Sequence, residues 1–323
     1  MALDLRAALE DTLAGDYTIQ EELPRGGMSR VFLATERALN RQVVIKVLDP
    51  ELAATLSAER FKREISLAAR LQHPHIVPLL HAGAIQGTLF YTMPFVEGES
   101  LRELMARERP LPVERITQIL VEVAGALEYA HAQGVVHRDI KPENVMLFHG
   151  QAVVLDFGIA KAVSDSASQE TPLPRLTLQG TSLGTPTYIA PEQAAGDPSL
   201  DHRADIYSVG AVAYEMLCGH PPFRGKSPQA VMIAHVQETP EPVGKRRPDT
   251  PAPLARLVMH CLEKAPSRRP QRAAEIALAL RSAPAVSGGV RGLLARGPWW
   301  LPWAIAVVAT LAALGMAVLR GRG

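Results

Sequence analysis

The hydrophobic residues of this chain follow two different periods, one before and one after Gly98. Before it, short apolar or β-branched runs bounded by polar turns are typical of strands. These runs are Val31–Ala34, Arg41–Leu48 and Leu89–Met93. One stretch with helical spacing, Ala58–Leu71, lies between the second and third runs. The pattern predicts a strand-rich lobe with one helix over residues 17–96, preceded by an N-terminal extension, residues 1–16.

After Gly98 the apolar residues recur at intervals of three and four, which predicts helices. The predicted helices are Ile116–Gln133, Ala204–Leu217, Pro228–Gln237, Leu254–Glu263 and Ala273–Arg281. Two short apolar runs, Val145–Phe148 and Ala152–Leu155, flank a His149-Gly150-Gln151 turn and are typical of a hairpin. Residues 97–281 are therefore predicted to form a second, mostly helical lobe.

The 21 residues from Trp299 to Leu319 carry no charged side chain. A helix of that length, at about 1.5 Å per residue, spans the roughly 30 Å of a bilayer's hydrocarbon layer. Tryptophans gather at one end, and Arg320 and Arg322 follow the other. A buried C-terminal helix is the alternative, although such a helix normally keeps a polar stripe. We predict a transmembrane helix at 299–319 and a short tail at 320–323.

Residues 282–298 are rich in Gly, Ala, Pro and Arg and lack acidic side chains, so we predict a juxtamembrane linker there. Arg291 and Arg296, with Arg281 upstream, could lie against anionic headgroups, which makes membrane lipid a predicted partner. A solvated linker without lipid preference fits the same composition.

Charge and cysteine content narrow the classes of function. Lys plus Arg, 34 residues, nearly cancels Asp plus Glu, 33 residues, so no nucleic-acid partner is predicted. The two cysteines, Cys218 and Cys261, lie far apart and outside any zinc-binding pattern, which indicates a reducing compartment. The first residues lack the pattern of a signal peptide. We expect a single-pass protein of the cell (inner) membrane, with both lobes in the cytoplasm.

Residues 137–144 read His-Arg-Asp-Ile-Lys-Pro-Glu-Asn, and Asp156-Phe157-Gly158 follows beyond the predicted hairpin. These segments match the catalytic loop H-R-D-x-x-x-x-N and the D-F-G motif at every fixed position. Here the chain resembles the eukaryotic-type serine/threonine protein kinases, and its predicted membrane helix resembles bacterial, membrane-anchored members. The resemblance implies an α+β, two-lobed protein kinase fold, with ATP and Mg²⁺ or Mn²⁺ as cofactors.

The resemblance also assigns roles to residues of these motifs. It implies that Asp139 is the catalytic base and that Lys141 places its charge on the transferring phosphoryl group. Asn144 and Asp156, at the two ends of the hairpin, are implied to hold the metal ions. Thr185 is implied to bond near Asp139 and Lys141, which is the serine/threonine rather than the tyrosine pattern.

Val43-Val44-Ile45-Lys46 is a predicted strand that ends in lysine. It resembles the strand whose lysine holds the α- and β-phosphates of ATP. Glu64 lies on the same side of its predicted helix as Ile65 and Ala68, and an acid in that position needs a buried cation. The resemblance implies that Lys46 and Glu64 form an ion pair.

The glycine-rich loop departs from the family pattern. The template G-x-G-x-x-G-x-V falls on Pro24, Gly26, Ser29 and Val31, so only the middle glycine and the valine match. Gly26 and Gly27 still give a flexible turn whose N–H groups can approach a phosphate. The departure leaves room for a weaker grip on the nucleotide.

The resemblance places the adenine ring beside the chain segment Met93–Val96, which would join the two lobes as a hinge. The carbonyl of Pro94 would accept a hydrogen bond from the adenine amino group, and the N–H of Val96 would donate one to the ring. Val31 and Val44 would cover one face of the ring, and Met146 would cover the other.

Downstream, Gly184-Thr185-Pro186-Thr187-Tyr188 leads into Ala190-Pro191-Glu192 and resembles the family's substrate-binding loop and A-P-E segment. Glu192 is implied to pair with Arg269, and Asp205 is implied to cap the backbone of the catalytic loop. The preceding stretch, 159–183, is rich in hydroxyl side chains, of which Thr177 and Thr181 are the predicted autophosphorylation sites.

The resemblance thus implies transfer of the γ-phosphate of ATP to serine and threonine hydroxyls of proteins, activated by autophosphorylation. A pseudokinase scaffold that binds partners without phosphoryl transfer is one alternative, which the altered glycine-rich loop favours. A small-molecule phosphotransferase is another, although it should lack the Gly-Thr-Pro and Ala-Pro-Glu segments.

Overall fold

The computed structural model of the chain describes residues 5–23, 29–48, 58–157 and 186–282, with the side chains of 58–62 left aside. The chain divides into two units, Met1–Ala283 and Pro284–Gly323. Everything below concerns the first unit, because the second contains no described residue.

The first unit holds ten α-helices and eight β-strands within those ranges. The helices are α1 (Leu5–Leu13), α2 (Ala58–Ala68), α3 (Leu101–Arg107), α4 (Val113–Ala132), α5 (Pro191–Ala194), α6 (Arg203–Cys218), α7 (Pro228–Gln237), α8 (Val243–Arg246), α9 (Ala252–Cys261) and α10 (Ala273–Ser282). The strands are β1 (Tyr17–Leu23), β2 (Ser29–Glu36), β3 (Arg41–Leu48), β4 (His81–Ile85), β5 (Thr88–Pro94), β6 (Glu99–Ser100), β7 (Val145–Phe148) and β8 (Gln151–Val154).

The N-terminal lobe is a five-stranded antiparallel sheet with the strand order β1-β2-β3-β5-β4. Residues directly opposite one another in such a sheet share a face, and successive residues alternate between faces. The register pairs Val31 with Lys46 and Lys46 with Tyr91 across β2, β3 and β5. Polar Lys46 therefore lies on a face with apolar neighbours.

The opposite face of the sheet is covered by α1. Leu5, Leu9 and Leu13 recur every four residues, so they form one stripe of the helix. That stripe belongs to one buried cluster with Phe32 and Ile45 of the sheet. The predicted N-terminal extension, residues 1–16, thus contains a helix that packs into the core of the N-terminal lobe.

The C-terminal lobe is built around α6, in which every residue from Ala204 to Leu217 is buried. A helix surrounded by protein on all sides needs no polar stripe, which explains its mostly apolar sequence. The helices α4 and α9 pack against it, and α10 packs against α4. A second, three-stranded sheet with the order β6-β7-β8 lies at the edge of this lobe.

The predicted elements agree with the structure to within a few residues. The strand β3 and the strand β7 have the predicted bounds, and β8 is offset by one residue. The elements that were not predicted are the strands β1, β4 and β6 and the helices α1, α3, α5 and α8. Within the described ranges, no helix is both long and apolar enough to cross a bilayer. The predicted membrane segment, 299–319, lies outside them.

Candidate active site

One buried aspartate binds the backbone of the loop 137–144. Asp205, in the first turn of α6, is completely buried. Its carboxylate accepts hydrogen bonds from the backbone N–H groups of His137, at 2.8 Å, and Arg138, at 2.7 Å. Arg138 has a positive φ of 67°, which is unfavourable for a residue with a side chain and persists only where the surroundings enforce it. The cap predicted for Asp205 is confirmed.

Asp205 stays ionised although it is buried. Burial by itself raises the pKa of the carboxyl, but the hydrogen bond and charge of His131, the charge of His137 and the Arg138 N–H outweigh burial and lower it. The bond from His131 Nε2 to Asp205 Oδ2 measures 2.8 Å. His131, on α4, is thus a supporting residue that the sequence analysis missed.

The same loop presents Asp139 to solvent. Lys141 Nζ lies 2.6 Å from Asp139 Oδ2, and Asn144 Nδ2 donates to the same oxygen at 3.0 Å and to the Asp139 carbonyl at 2.8 Å. A short 3₁₀ turn, Pro142–Asn144, brings Asn144 back over Asp139. The structure therefore brings together three of the predicted site residues around one exposed carboxylate.

The hairpin β7–β8 places Asp156 beside this loop. The N–H of Leu155 donates to the carbonyl of Asn144 at 2.9 Å, and His137 Nε2 donates to the carbonyl of Leu155 at 2.7 Å. The ring of His137 packs edge-on against Phe157, with 4.7 Å between the ring centroids. These contacts fix the segment 155–157 to both ends of the catalytic-loop sequence, as the hairpin predicted.

The carboxylate of Asp156 has two donors from the N-terminal sheet. Lys46 Nζ lies 2.6 Å from Oδ2, and the Tyr91 hydroxyl donates to Oδ1 at 2.8 Å. The partner seen for Lys46 is thus Asp156, and its ion pair with Glu64 stays a prediction. The register of the sheet sets Tyr91 opposite Lys46, and together they hold the carboxylate that the hairpin delivers. Tyr91 was missed, although its spacing of two from Met93 puts it on the same face of β5.

Two small apolar clusters lie on the face of the sheet that carries Lys46 and on the hairpin β7–β8. Val31, Val44 and Met93 form one of them. Met146, with Val153 and Leu155, forms the other. Val77 packs against both clusters, so they lie close together, as expected for two walls of one pocket. The apolar residues predicted to sandwich a ring are therefore placed around a common centre.

The remaining predicted residues fall into two groups. Ser29 begins β2, Pro94 ends β5, and Val96 packs beside the second of these clusters. Pro24, Gly26, Gly27 and Thr185, together with the proposed phosphorylation sites Thr177 and Thr181, lie outside the described residues.

The segment that follows residue 185 is anchored by buried polar groups. Glu192 and Arg269 form a two-pronged ion pair, with N–O distances of 2.6 and 2.7 Å, as predicted. The hydroxyl of Tyr188 bonds to Arg102 and to Glu215. Arg102 also bonds to Glu143 of the catalytic-loop sequence at 2.8 Å. No sequence pattern indicates this role of Arg102, because its partners come from three distant segments.

A model of one protein family matches residues 17–279, and its description is "Protein kinase domain". The chain belongs to the protein kinase family. The fold predicted by resemblance, a strand-rich lobe and a helical lobe, is therefore confirmed. A solved structure described as Rad53 1-466 in complex with AMP-PNP shares this fold, with a TM-score of 0.67 and 22% identity over 84% of this chain and 67% of that one.

Bacterial relatives in the family are more similar in sequence. Serine/threonine-protein kinase PknB of Mycobacterium tuberculosis is 41% identical over 270 residues, which is 82% of this chain and 42% of that protein. Serine/threonine-protein kinase pkn3 of Myxococcus xanthus is 40% identical over 272 residues, 81% of this chain and 49% of that protein. The chain thus spans less than half the length of these relatives.

Proposed function

We propose that this chain is a serine/threonine protein kinase, which transfers the γ-phosphoryl group of ATP to serine and threonine hydroxyls of proteins. The observation that carries the proposal is the geometry around Asp139. An exposed carboxylate with Lys141 at 2.6 Å lies next to the paired Lys46 and Asp156. Carboxylate, lysine and a metal-binding acid in one cleft are the groups that phosphoryl transfer requires.

Asp139 would accept the proton of the substrate hydroxyl. Lys141 and Asn144 both bond to Oδ2, so Oδ1 is the oxygen that would face the hydroxyl. Those two bonds fix the orientation of the carboxylate, which is what a base must have before the reaction. Lys141 lies close enough to place its positive charge near the transferring phosphoryl oxygens.

The oxygen donors fit a divalent cation such as Mg²⁺. Asn144 uses its amide nitrogen on Asp139, which leaves the amide oxygen as its metal-binding atom. The carboxylate of Asp156 is the second oxygen donor, and oxygen ligands are what Mg²⁺ prefers. When bound, the cation would neutralise charge on the β- and γ-phosphates of ATP. Lys46, beside Asp156, would hold the α- and β-phosphates.

The two apolar clusters would enclose the adenine ring between Val31 and Val44 on one side and Met146 on the other. Pro94 and Val96 supply backbone groups at the edge of this space. Rad53, a structure of the same fold, is described in complex with the nucleotide AMP-PNP, which supports ATP as a ligand of this chain. The altered glycine-rich loop, with Pro24 and Ser29 in glycine positions, would bind the phosphates of ATP less tightly than a loop with all three glycines.

Protein substrates would approach along the segment 184–188, and the chain itself would be one of them. We retain Thr177 and Thr181 as the proposed autophosphorylation sites. We also retain the membrane helix 299–319, its contact with lipid and a place in the cell membrane as proposals, with the kinase lobes in the cytoplasm. They rest on the apolar sequence alone.

The decisive experiment follows radiolabelled γ-phosphate from ATP into the chain and into a generic protein substrate such as casein, with Mg²⁺ present. We expect transfer by the parent chain and a loss of at least a hundredfold in Asp139→Asn and Lys46→Met, because each substitution removes a charge from the reacting groups. Mass spectrometry of the incubated chain would locate its phosphates.

Exposed positions of the same residue types provide matched controls. Asp249→Asn and Lys245→Met change side chains far along the sequence from the site, and both should retain the parent rate. A parent chain that binds ATP but transfers no phosphate would favour the pseudokinase alternative. Phosphorylation of small molecules but not of proteins would favour the alternative of a small-molecule phosphotransferase.

A further inference from the structure

His235 is a buried histidine outside the machinery described so far. It lies on α7, is fully buried, and uses both ring nitrogens. Nδ1 is 2.9 Å from the hydroxyl of Tyr207 on α6, and Nε2 is 2.9 Å from the backbone carbonyl of Thr187. The ring therefore bridges a helix of the core and the segment 186–190.

The two partners determine where the proton resides. A carbonyl only accepts, so Nε2 must carry the hydrogen, and a neutral ring then accepts from the Tyr207 hydroxyl at Nδ1. Burial, with the charge of Lys264, lowers the pKa of His235 to about 4 although the bond to Thr187 opposes the shift. Lys264 Nζ lies 2.6 Å from the His235 carbonyl, and Arg269 lies over the Tyr207 ring at 4.9 Å. The neutral ring suits both bonds.

The bond to Thr187 reaches the segment that would receive protein substrates. Thr187 lies two residues after Thr185 of the Gly-Thr-Pro run. The next carbonyl, that of Tyr188, accepts from Ser208 Oγ at 2.7 Å. Two consecutive carbonyls are thus held from two helices, α7 and α6, which fixes the path of the backbone.

We propose that His235 is a positioning residue for the protein substrate, acting through the backbone of Thr187. This inference rests on the proposed kinase function and names a residue that serves one of its two substrates. Among the described residues, the ring of His235 contacts Tyr207, Thr187 and Phe223, which lie outside the proposed ATP site, so its loss should leave ATP binding intact. Without this bond, the segment 186–190 would adopt the conformation that binds protein in a smaller fraction of molecules. The apparent affinity for the protein substrate falls in proportion to that fraction.

Substitution of His235 by glutamine or by asparagine tests the two hydrogen bonds of the ring separately. The amide of Gln reaches the position of Nε2, so His235→Gln can still donate to the Thr187 carbonyl. The amide of Asn reaches only the position of Nδ1, so His235→Asn keeps a partner for Tyr207 and loses Thr187. Tyr207→Phe removes the other bond and leaves Thr187 with its donor.

The test is steady-state kinetics of the full chain with casein and ATP varied separately. For His235→Asn we expect the KM for casein to rise about tenfold, as for the loss of one buried hydrogen bond, with kcat and the KM for ATP within about twofold. His235→Gln and Tyr207→Phe should each stay within about threefold of the parent KM for casein.

Hydrogen exchange supplies a second readout that does not depend on activity. The amides of 186–190 should exchange faster in His235→Asn than in His235→Gln. Equal KM values for casein in the two variants, or equal losses in all kinetic constants, would overturn the proposal. If His235→Asn does not fold, His235→Gln and Tyr207→Phe decide, because both keep the donor to the Thr187 carbonyl. A KM for casein that rises about tenfold in either variant would then overturn the proposal. If the parent chain transfers phosphate to no protein, the proposed function is refuted. The exchange experiment would still test whether the bond from His235 to the Thr187 carbonyl holds the segment 186–190.

Discussion

Two acid–base pairs of this molecule have the same shortest N–O distance, 2.6 Å, and opposite surroundings. In the pair of Glu192 and Arg269 the side chains are 8% and 0% exposed, whereas in the pair of Asp139 and Lys141 they are 47% and 35% exposed. Distance therefore says little about the role of a pair. Burial decides whether water can replace a lost partner.

The buried pair is surrounded by further acceptors. Besides Glu192, Arg269 donates to the carbonyls of Arg203, Glu263 and Lys264, so all five of its N–H groups have partners. No proton or charge is left over for a reaction. The exposed pair has an open side, which a reacting hydroxyl can approach. The comparison assigns one pair to stability and the other to chemistry.

The largest effect on stability is expected for Arg269→Met. This substitution leaves Glu192 buried without its cation, and such losses typically cost about 3–5 kcal/mol. Urea denaturation of the two proteins measures the difference. The matched control is Arg272→Met, whose pair with Glu128 is 69% exposed on the arginine side and should contribute less than about 1 kcal/mol. Similar losses in both variants would contradict the comparison.

Part of the fold and of the candidate site could be predicted from the sequence. The motif around Asp139, the A-P-E segment and the hairpin are local patterns, and their residues meet as predicted. The strand β3 matches its predicted bounds because Arg41–Leu48 is a short run rich in β-branched residues, namely Val43, Val44, Ile45 and Val47. Short motifs and single strands could therefore be predicted without a structure.

The rest required the register and packing of distant segments. Leu5, Leu9 and Leu13 make a helical stripe only once the sheet supplies an apolar face for it. Lys46 meets Asp156 because the hairpin and the sheet approach each other, a distance that spacing along the chain does not give. His235 lies among apolar residues of a short helix, where its two partners, both far away in sequence, could not be foreseen.

The buried Asp205 should show an intermediate effect. In Asp205→Asn a neutral amide replaces the carboxylate that accepts from His131 and two backbone N–H groups. Hydrogen bonds to a charged group are worth about 1.5–3 kcal/mol, so we expect a loss of that size in urea denaturation at neutral pH.

The pH dependence of this loss has a definite sign. The folded pKa of Asp205 lies below its ordinary value of 3.8, so the unfolded chain takes up the proton first as the pH falls. The stabilisation by the carboxylate is present above that ordinary value and disappears as the pH falls through the folded pKa. The gap in unfolding free energy between the parent chain and Asp205→Asn should shrink below about pH 4. A gap that stays constant on acidification would show that the carboxylate charge is not what stabilises the loop.

The smallest effect on stability is expected for Asp139→Asn, the same substitution that should abolish phosphoryl transfer. The pair with Lys141 is half-exposed, and such pairs contribute at most about 1 kcal/mol. Asparagine also keeps an oxygen that can accept from the Asn144 amide. Urea denaturation should therefore give a free energy of unfolding within about 1 kcal/mol of the parent, while the label assay shows no transfer. A loss as large as that of Asp205→Asn would place Asp139 with the buried scaffold, and the separation between stability and chemistry drawn from the two pairs would fail.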